Sequence, residues 1–194
     1  MDGLKDVLRN FRVGAALVAR APSDDAEFLR FASAARETGT PVLLVGRGDR
    51  LSFGAVTLEV LWPTVAEGDG DAPSTNDESI VLRLRLGRRT VLLTGDAEAR
   101  AEASLVFAKD DLACDVLKVA HHGSRTSSTQ AFVNATRPAL AVVSVGQDSP
   151  FGHPHAEVIR RWRDAGALVL TPGERGTITV TTDGEDLKLS TFVK

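Results

Sequence analysis

The sequence predicts an α/β protein of the α+β kind, with two sheets and helices outside them, on three observations. Apolar runs of strand length alternate with helix-period segments near the N-terminus. From Leu51 to Leu93 the pattern changes to successive strands with period-two alternation and no helix between them. After Gly95-Asp96 the α/β alternation resumes and the chain closes on two further strands. A doubly wound parallel sheet has no place for that central run of hairpins.

Leu4, Val7, Leu8 and Phe11 recur at helical spacing, so the chain opens with a short amphipathic helix, followed by a strand over Val13 to Ala19. Ser23 is the expected N-cap of a second helix, whose first-turn acids Asp24, Asp25 and Glu27 suit the positive end of the dipole. Gly39 ends it, and Pro41 to Val45 reads as a buried strand. Gly46-Arg47-Gly48-Asp49-Arg50 is a turn, because no helix follows it as a phosphate loop requires. Strands are expected over Leu51–Phe53, Ala55–Leu61, Glu78–Leu86 and Thr90–Leu93, with a hairpin at Leu86-Gly87-Arg88-Arg89. Between Trp62 and Asn76 lies a Gly/Asp/Pro/Ser-rich loop, expected to be exposed. Then come helix Ala97–Phe107, strand Asp115–Ala120, helix Thr129–Ala135, strand Ala139–Val145, helix Ala156–Asp164 and strand Ala167–Leu170. Strands Gly176–Thr181 and Leu187–Phe192 close the chain around the turn Thr182-Asp183-Gly184-Glu185.

The 194 residues suit one domain, 1–194, and 43% hydrophobic content supplies a core. A net charge of -3 gives no global attraction to nucleic acid or to an acidic membrane surface. Arg83, Arg85, Arg88 and Arg89 on the hairpin, and Arg160, Arg161 and Arg163 on a helix, form local basic stretches that read first as solvated faces. The lone Cys114 excludes an internal disulfide and reads as a small core residue. No apolar run reaches membrane-spanning length and no signal-peptide pattern opens the chain.

Three strands run directly into polar groups: Val91-Leu92-Leu93-Thr94-Gly95-Asp96, Val116 through His121-His122-Gly123-Ser124, and Val142 to Gly146 leading to Gly152-His153-Pro154-His155. All four histidines lie in the last two segments. Strand ends are where α/β folds gather ligands. Each segment also has a plain structural reading. Asp96 could cap a helix, His121-His122 could be a polar turn, His155 could start a helix, and Lys118 could be an exposed strand-end charge. Taken together, imidazoles and a carboxylate are the usual ligands of zinc, manganese or iron. A bridged metal pair lowers the pKa of bound water and stabilises both oxygens of a displacement. Gly95 and Gly123 would let the backbone pass close to such a site. Lys118 and Ser124 could donate to an anionic group.

Leu92 to Glu98, Asp115 to Ser124 and Gly152 to His155, with Asn76 to Leu82 upstream, resemble in order the metallo-β-lactamase-like domain of ComEC-type competence proteins. The resemblance implies an αββα sandwich, N-terminally incomplete here, and a metal-dependent hydrolase acting on phosphodiesters. The implied partners are DNA or another phosphodiester and the membrane channel of a parent protein, with the domain extracytoplasmic. By the same resemblance Asp96, His122 and His153 are the expected metal ligands, and His121 and His155 the expected catalytic groups. Lys118, Ser124 and Asn76 are the expected substrate contacts, and the cofactor is a divalent metal, Zn or Mn, two ions in a complete domain. One departure stands out: the family's upstream H-x-H-x-D-H-like segment is absent, and Met1-Asp2-Gly3-Leu4 resembles the junction that follows it. The expectation is a chain that begins just past that motif, with an exposed strand edge or apolar face, weak metal binding and little hydrolysis. The alternatives are a degenerate, non-catalytic scaffold of the same fold, or a hydrolase of a different phosphoester or small ester.

Overall fold

A computed structural model describes residues 2–19, 26–64 and 75–193. The expected cap Ser23, with Asp24 and Asp25, and most of the Trp62–Asn76 loop lie outside the described residues. The elements run α1 (Asp2–Asn10), β1 (Ala16–Val18), α2 (Ala26–Glu37), β2 (Val42–Leu44), β3 (Arg50–Phe53), β4 (Val56–Trp62), β5 (Val81–Leu86) and β6 (Arg89–Leu93). They continue α3 (Ala99–Phe107), β7 (Val116–Lys118), α4 (Gln130–Thr136), β8 (Leu140–Val142), α5 (Ala156–Asp164), β9 (Leu168–Leu170), α6 (Pro172–Arg175), β10 (Ile178–Thr182) and β11 (Leu187–Thr191).

Seven strands form one mixed sheet in the order β3-β4-β5-β6-β7-β8-β9. The expected successive strands, with the hairpin at Leu86–Arg89, make its antiparallel half, β3 to β6, and the α/β alternation makes the parallel half, β6 to β9. Period-two alternation divides the sheet's two faces. Leu92, Leu117, Ala141 and Val169 share a core with Ala101 and Leu105 of α3, Phe132 and Val133 of α4, and Val158 and Trp162 of α5. Their neighbours Val91, Val116, Leu140 and Leu170 face the other way, onto Ile178, Val180 and Leu187 of the antiparallel β10-β11 pair. The layering is therefore helices, large sheet, small sheet.

The expected count of two sheets is corrected to three among the described residues, because β1 and β2 pair in parallel as a separate unit. That pair packs with α1 and α2 around Leu8, Phe28, Phe31, Ala34 and Ala35. Pro41–Val45 was expected to be buried, yet Val42, Leu43 and Leu44 of β2 are 37%, 44% and 50% exposed. They form an apolar strand with little cover. The Glu78–Leu86 strand is also shorter than expected: Thr75–Glu78 is a 3₁₀ turn and β5 begins at Val81. Asp77 is the reason, as its side chain and backbone serve neighbouring groups rather than a ladder. Oδ1 accepts from the backbone of Glu98 and Ala101, both at 3.2 Å, and its carbonyl accepts from the Trp62 indole. Cys114 packs at the edge of the main core, and burial pushes its thiol up to about 12.

Candidate metal-binding site

Parallel pairing of β6, β7 and β8 brings their C-terminal ends to one rim of the sheet, and Asp96, His121-His122 and Ser144 follow those ends. At the end of β6, Gly95 has φ +55°, and a Cβ there would sit 2.8 Å from the Ser79 Cβ. That close approach lets the Asp96 amide donate to Ser79 Oγ at 3.0 Å. Asp96 is not a helix cap. α3 begins three residues later, and its leading amides are served by Asp77. The Asp96 carboxylate is left facing the rim.

Lys118 is not an exposed strand-end charge either. Its Nζ donates to the Gly95 carbonyl at 2.8 Å and lies 3.8 Å from Asp96 Oδ1. Burial pulls its pKa below the usual lysine range, and the Asp96 carboxylate opposes that shift. An ammonium here holds the backbone at Gly95 and neutralises part of the rim's acid.

After β7 the backbone turns sharply left-handed. His121 (φ 47°, ψ 43°) and His122 (φ 53°, ψ 25°) are both in the αL region, each at a conformational cost on the order of 1 kcal/mol. Gly123 continues the turn at φ +79°, and a Cβ there would meet the Pro154 Cβ at 2.8 Å. The His153-Pro154-His155 loop is thereby seated against the turn, and the His155 amide donates to the Gly123 carbonyl at 3.0 Å. His121 and His153 meet edge-on at 5.6 Å between ring centroids, and His153 and His155 at 5.1 Å. Phe151 stacks on His153 at 6.2 Å between ring centroids. Burial first, then the neighbouring His155, His121 and His122, push the His153 pKa down. Its Nδ1 is buried with no hydrogen-bond partner among the described residues.

The ring nitrogens have distinct surroundings. His122 Nδ1 lies 2.6 Å from the Ser144 carbonyl, which can only accept, so Nδ1 carries the proton and Nε2 keeps its lone pair. That Nε2 lies 3.7 Å from Asp96 Oδ1. An ion bound to both at about 2.0–2.2 Å fits a gap of this size, and the carbonyl behind the ring is the usual support of a ligating histidine. Asp96 and His122 thus suit a metal as a ligand pair. A complete cage is not formed: no group of three or more His, Cys, Asp or Glu is arranged around one point among the described residues.

His155 starts α5, flanking its first residue without a side-chain cap. Its Nδ1 faces the Arg125 guanidinium at 3.4 Å, which can only donate. The proton of a neutral His155 therefore sits on Nε2, opposite to His122. Ser124 is buried, with Oγ 3.0 Å from Thr126 Oγ1, inside the turn rather than on its outer surface. Asn76 directs Nδ2 to Glu98 Oε1 at 3.4 Å. Glu98, Thr126 and Arg125 were not singled out from sequence. Glu98 is the final residue of Gly95-Asp96-Ala97-Glu98, so the motif carried it, but its contact with His121 spans 23 positions and leaves no periodic trace. The hairpin arginines are engaged: Arg83 pairs with Glu59 and Asp111, Arg85 with Asp111, Arg88 with Glu185 and Arg89 with Asp115. Among the described residues no helix is long and apolar enough to cross a membrane.

Helices, a large mixed sheet and a small antiparallel sheet in successive layers make a metallo-β-lactamase-like fold. In fold the chain is similar to CmlA, a diiron β-hydroxylase from Streptomyces venezuelae, with a TM-score of 0.54 and 18% identity over 84% of this chain and 39% of that one. By sequence it is 34% identical over 145 residues to ComE operon protein 3 of Bacillus subtilis, covering 75% of this chain and 18% of the relative. It is 42% identical over 105 residues to Recombination protein 2 of Haemophilus influenzae, covering 54% and 13%. Against competence protein ComA of Neisseria gonorrhoeae it is 35% identical over 130 residues, covering 66% and 18%. No family model matches. The chain is homologous to a segment of these relatives, and spans less than a fifth of their length.

Proposed function

We propose that this chain is the part of a competence-type, metal-dependent phosphodiester hydrolase that carries the bridging aspartate and the later histidines, acting on DNA during uptake. The observation that supports it most is the Asp96–His122 pair, with the His122 proton held on the Ser144 carbonyl and Nε2 turned to the carboxylate. A divalent metal, Zn or Mn, would be held by Asp96 and His122. When bound, it supplies an activated water and charge stabilisation at the phosphate.

The chain's own groups divide the remaining work. Lys118 fixes the carbonyl of Gly95 and so the placement of Asp96. His155, with Nδ1 turned to Arg125, presents Nε2–H and suits hydrogen-bond donation to a phosphate oxygen. His153 lies between His121 and His155 and is kept neutral by its surroundings, so it can ligate without first losing a proton. Channel attachment and an extracytoplasmic location belong to the same reading, by relationship to the competence proteins.

The two-ligand arrangement favours a second reading, a non-catalytic scaffold of the same fold. The deciding experiment uses the full gene product in which this chain occurs. The hydrolase reading expects Mn- or Zn-dependent cleavage of DNA, lost together with metal binding in Asp96→Asn. Metal binding without cleavage of DNA, or cleavage confined to small phosphoesters, would overturn it.

A further inference from the structure

We infer that Glu98 is a positioning residue: with Thr126 it fixes the proton of His121 on Nδ1 and leaves Nε2 as a bare lone pair for the site. The inference deepens the hydrolase reading and rests on it for its functional meaning, but the proton placement is a property of the chain itself.

Three oxygens and one imidazole nitrogen share a limited set of protons here. Glu98 Oε1 accepts from the Thr126 hydroxyl at 2.8 Å, and an ionised carboxylate has no proton to give. Thr126 has one hydroxyl proton, and it is committed there. The 3.0 Å contact between Ser124 Oγ and Thr126 Oγ1 must then run from Ser124 to Thr126. His121 Nδ1 lies 3.2 Å from Glu98 Oε1 and 3.4 Å from Thr126 Oγ1. Both oxygens now face Nδ1 as acceptors, so a neutral His121 carries its proton on Nδ1. Free imidazole favours the other tautomer, so the bias is imposed by the surroundings.

The geometry is held from several sides. Glu98 flanks the first residue of α3, Asp77 accepts the Glu98 amide, and the Ala99 amide donates to the Thr126 carbonyl at 3.0 Å. The carboxylate therefore cannot drift from the turn without disturbing the helix start. His121 comes out as a lone-pair donor, fit to bind a metal or take a proton from water. It shares this polarity with His122, whose proton is fixed by Ser144, and opposes His155.

The test reads tautomers directly, on the metal-free chain, from long-range proton–nitrogen NMR correlations of the imidazoles at pH ~8, above the ordinary histidine range. The expected spectrum shows His121 and His122 protonated on Nδ1. In Glu98→Ala, His121 should move toward the Nε2–H form while His122 stays unchanged, and Glu98→Asp or Glu98→Gln, which retain an acceptor, should restore part of the bias. Thr126→Val is the second variant and should weaken the bias without removing it. An Nε2–H His121 in the wild type, or one that Glu98→Ala leaves as it was, would overturn the inference. Neither outcome depends on metal or hydrolysis, so failure of the hydrolase reading would appear separately, in the metal titration.

Discussion

Glu102 offers a demanding test of how the histidine turn is supported. It is 1% exposed on α3, and its two carboxylate oxygens accept from the amides of Ser128 and Thr129 at 2.6 and 2.7 Å. Those residues lead from the turn into α4, and Ser128 is further tied to α5 through Arg161 on its carbonyl and the Trp162 indole on its Oγ at 3.1 Å. Glu102→Ala strands two buried N–H groups at about 1–3 kcal/mol each, a gross loss of roughly 2–6 kcal/mol. Part is returned because a buried carboxylate is itself costly; burial pushes the Glu102 pKa up against the pull of its hydrogen bonds. A net loss of about 1–4 kcal/mol remains, a large share of a typical domain's stability. Urea unfolding reads it as a lower midpoint at unchanged slope. Hydrogen exchange of the Ser128 and Thr129 amides should accelerate beyond the global change. A Glu102→Ala midpoint within about 0.5 kcal/mol of wild type would refute the idea that this carboxylate holds the turn.

Other expectations follow from the same geometry. Trp162→Ala removes a fully buried ring and its bond to Ser128, and should cost about 3–5 kcal/mol by urea unfolding. His153 titrates below its unfolded value, so between about pH 6.5 and its folded pKa the unfolded chain binds the extra proton. Stability should therefore fall as pH drops below about 6.5, and His153→Gln should flatten that part of the wild-type profile. The arginine hairpin is paired with carboxylates, so Arg88→Ala should change stability by no more than about 1 kcal/mol in the same unfolding assay.

Much of the architecture was legible in the sequence because the strands that make it are short apolar runs with clear periods. The parallel half, β6 to β9, is read from Val91-Leu92-Leu93, Val116-Leu117, Leu140-Ala141-Val142 and Leu168-Val169-Leu170, each bounded by a helix pattern. The same runs located the rim, since Asp96 and His121-His122 follow them directly. Gly95 and Gly123 were read as letting the backbone approach the site; in the structure they make room for the Ser79 and Pro154 side chains. What was not legible depends on contacts distant in sequence. Asp77 displacing Asp96 as the keeper of the α3 start, and Glu98 behind His121, are such contacts. The left-handed backbone at two successive histidines carries only a weak signal, histidine's enrichment among non-glycine residues at positive φ. β2 looked buried because its residues are apolar, and its actual exposure reflects the lack of cover over the small parallel pair.

The central claim is that Asp96 and His122 are half of a metal site. Complete structural zinc sites bind with about 10–16 kcal/mol, so half the ligand set should supply roughly 5–8 kcal/mol. That corresponds to dissociation constants from roughly 200 μM down to about 1 μM. Calorimetric titration of this chain with Zn²⁺ and with Mn²⁺ is the direct measurement. The account predicts at most one weakly held ion per chain, lost in Asp96→Asn and in His122→Ala. Two tightly held ions per chain, or binding indifferent to Asp96, would contradict it.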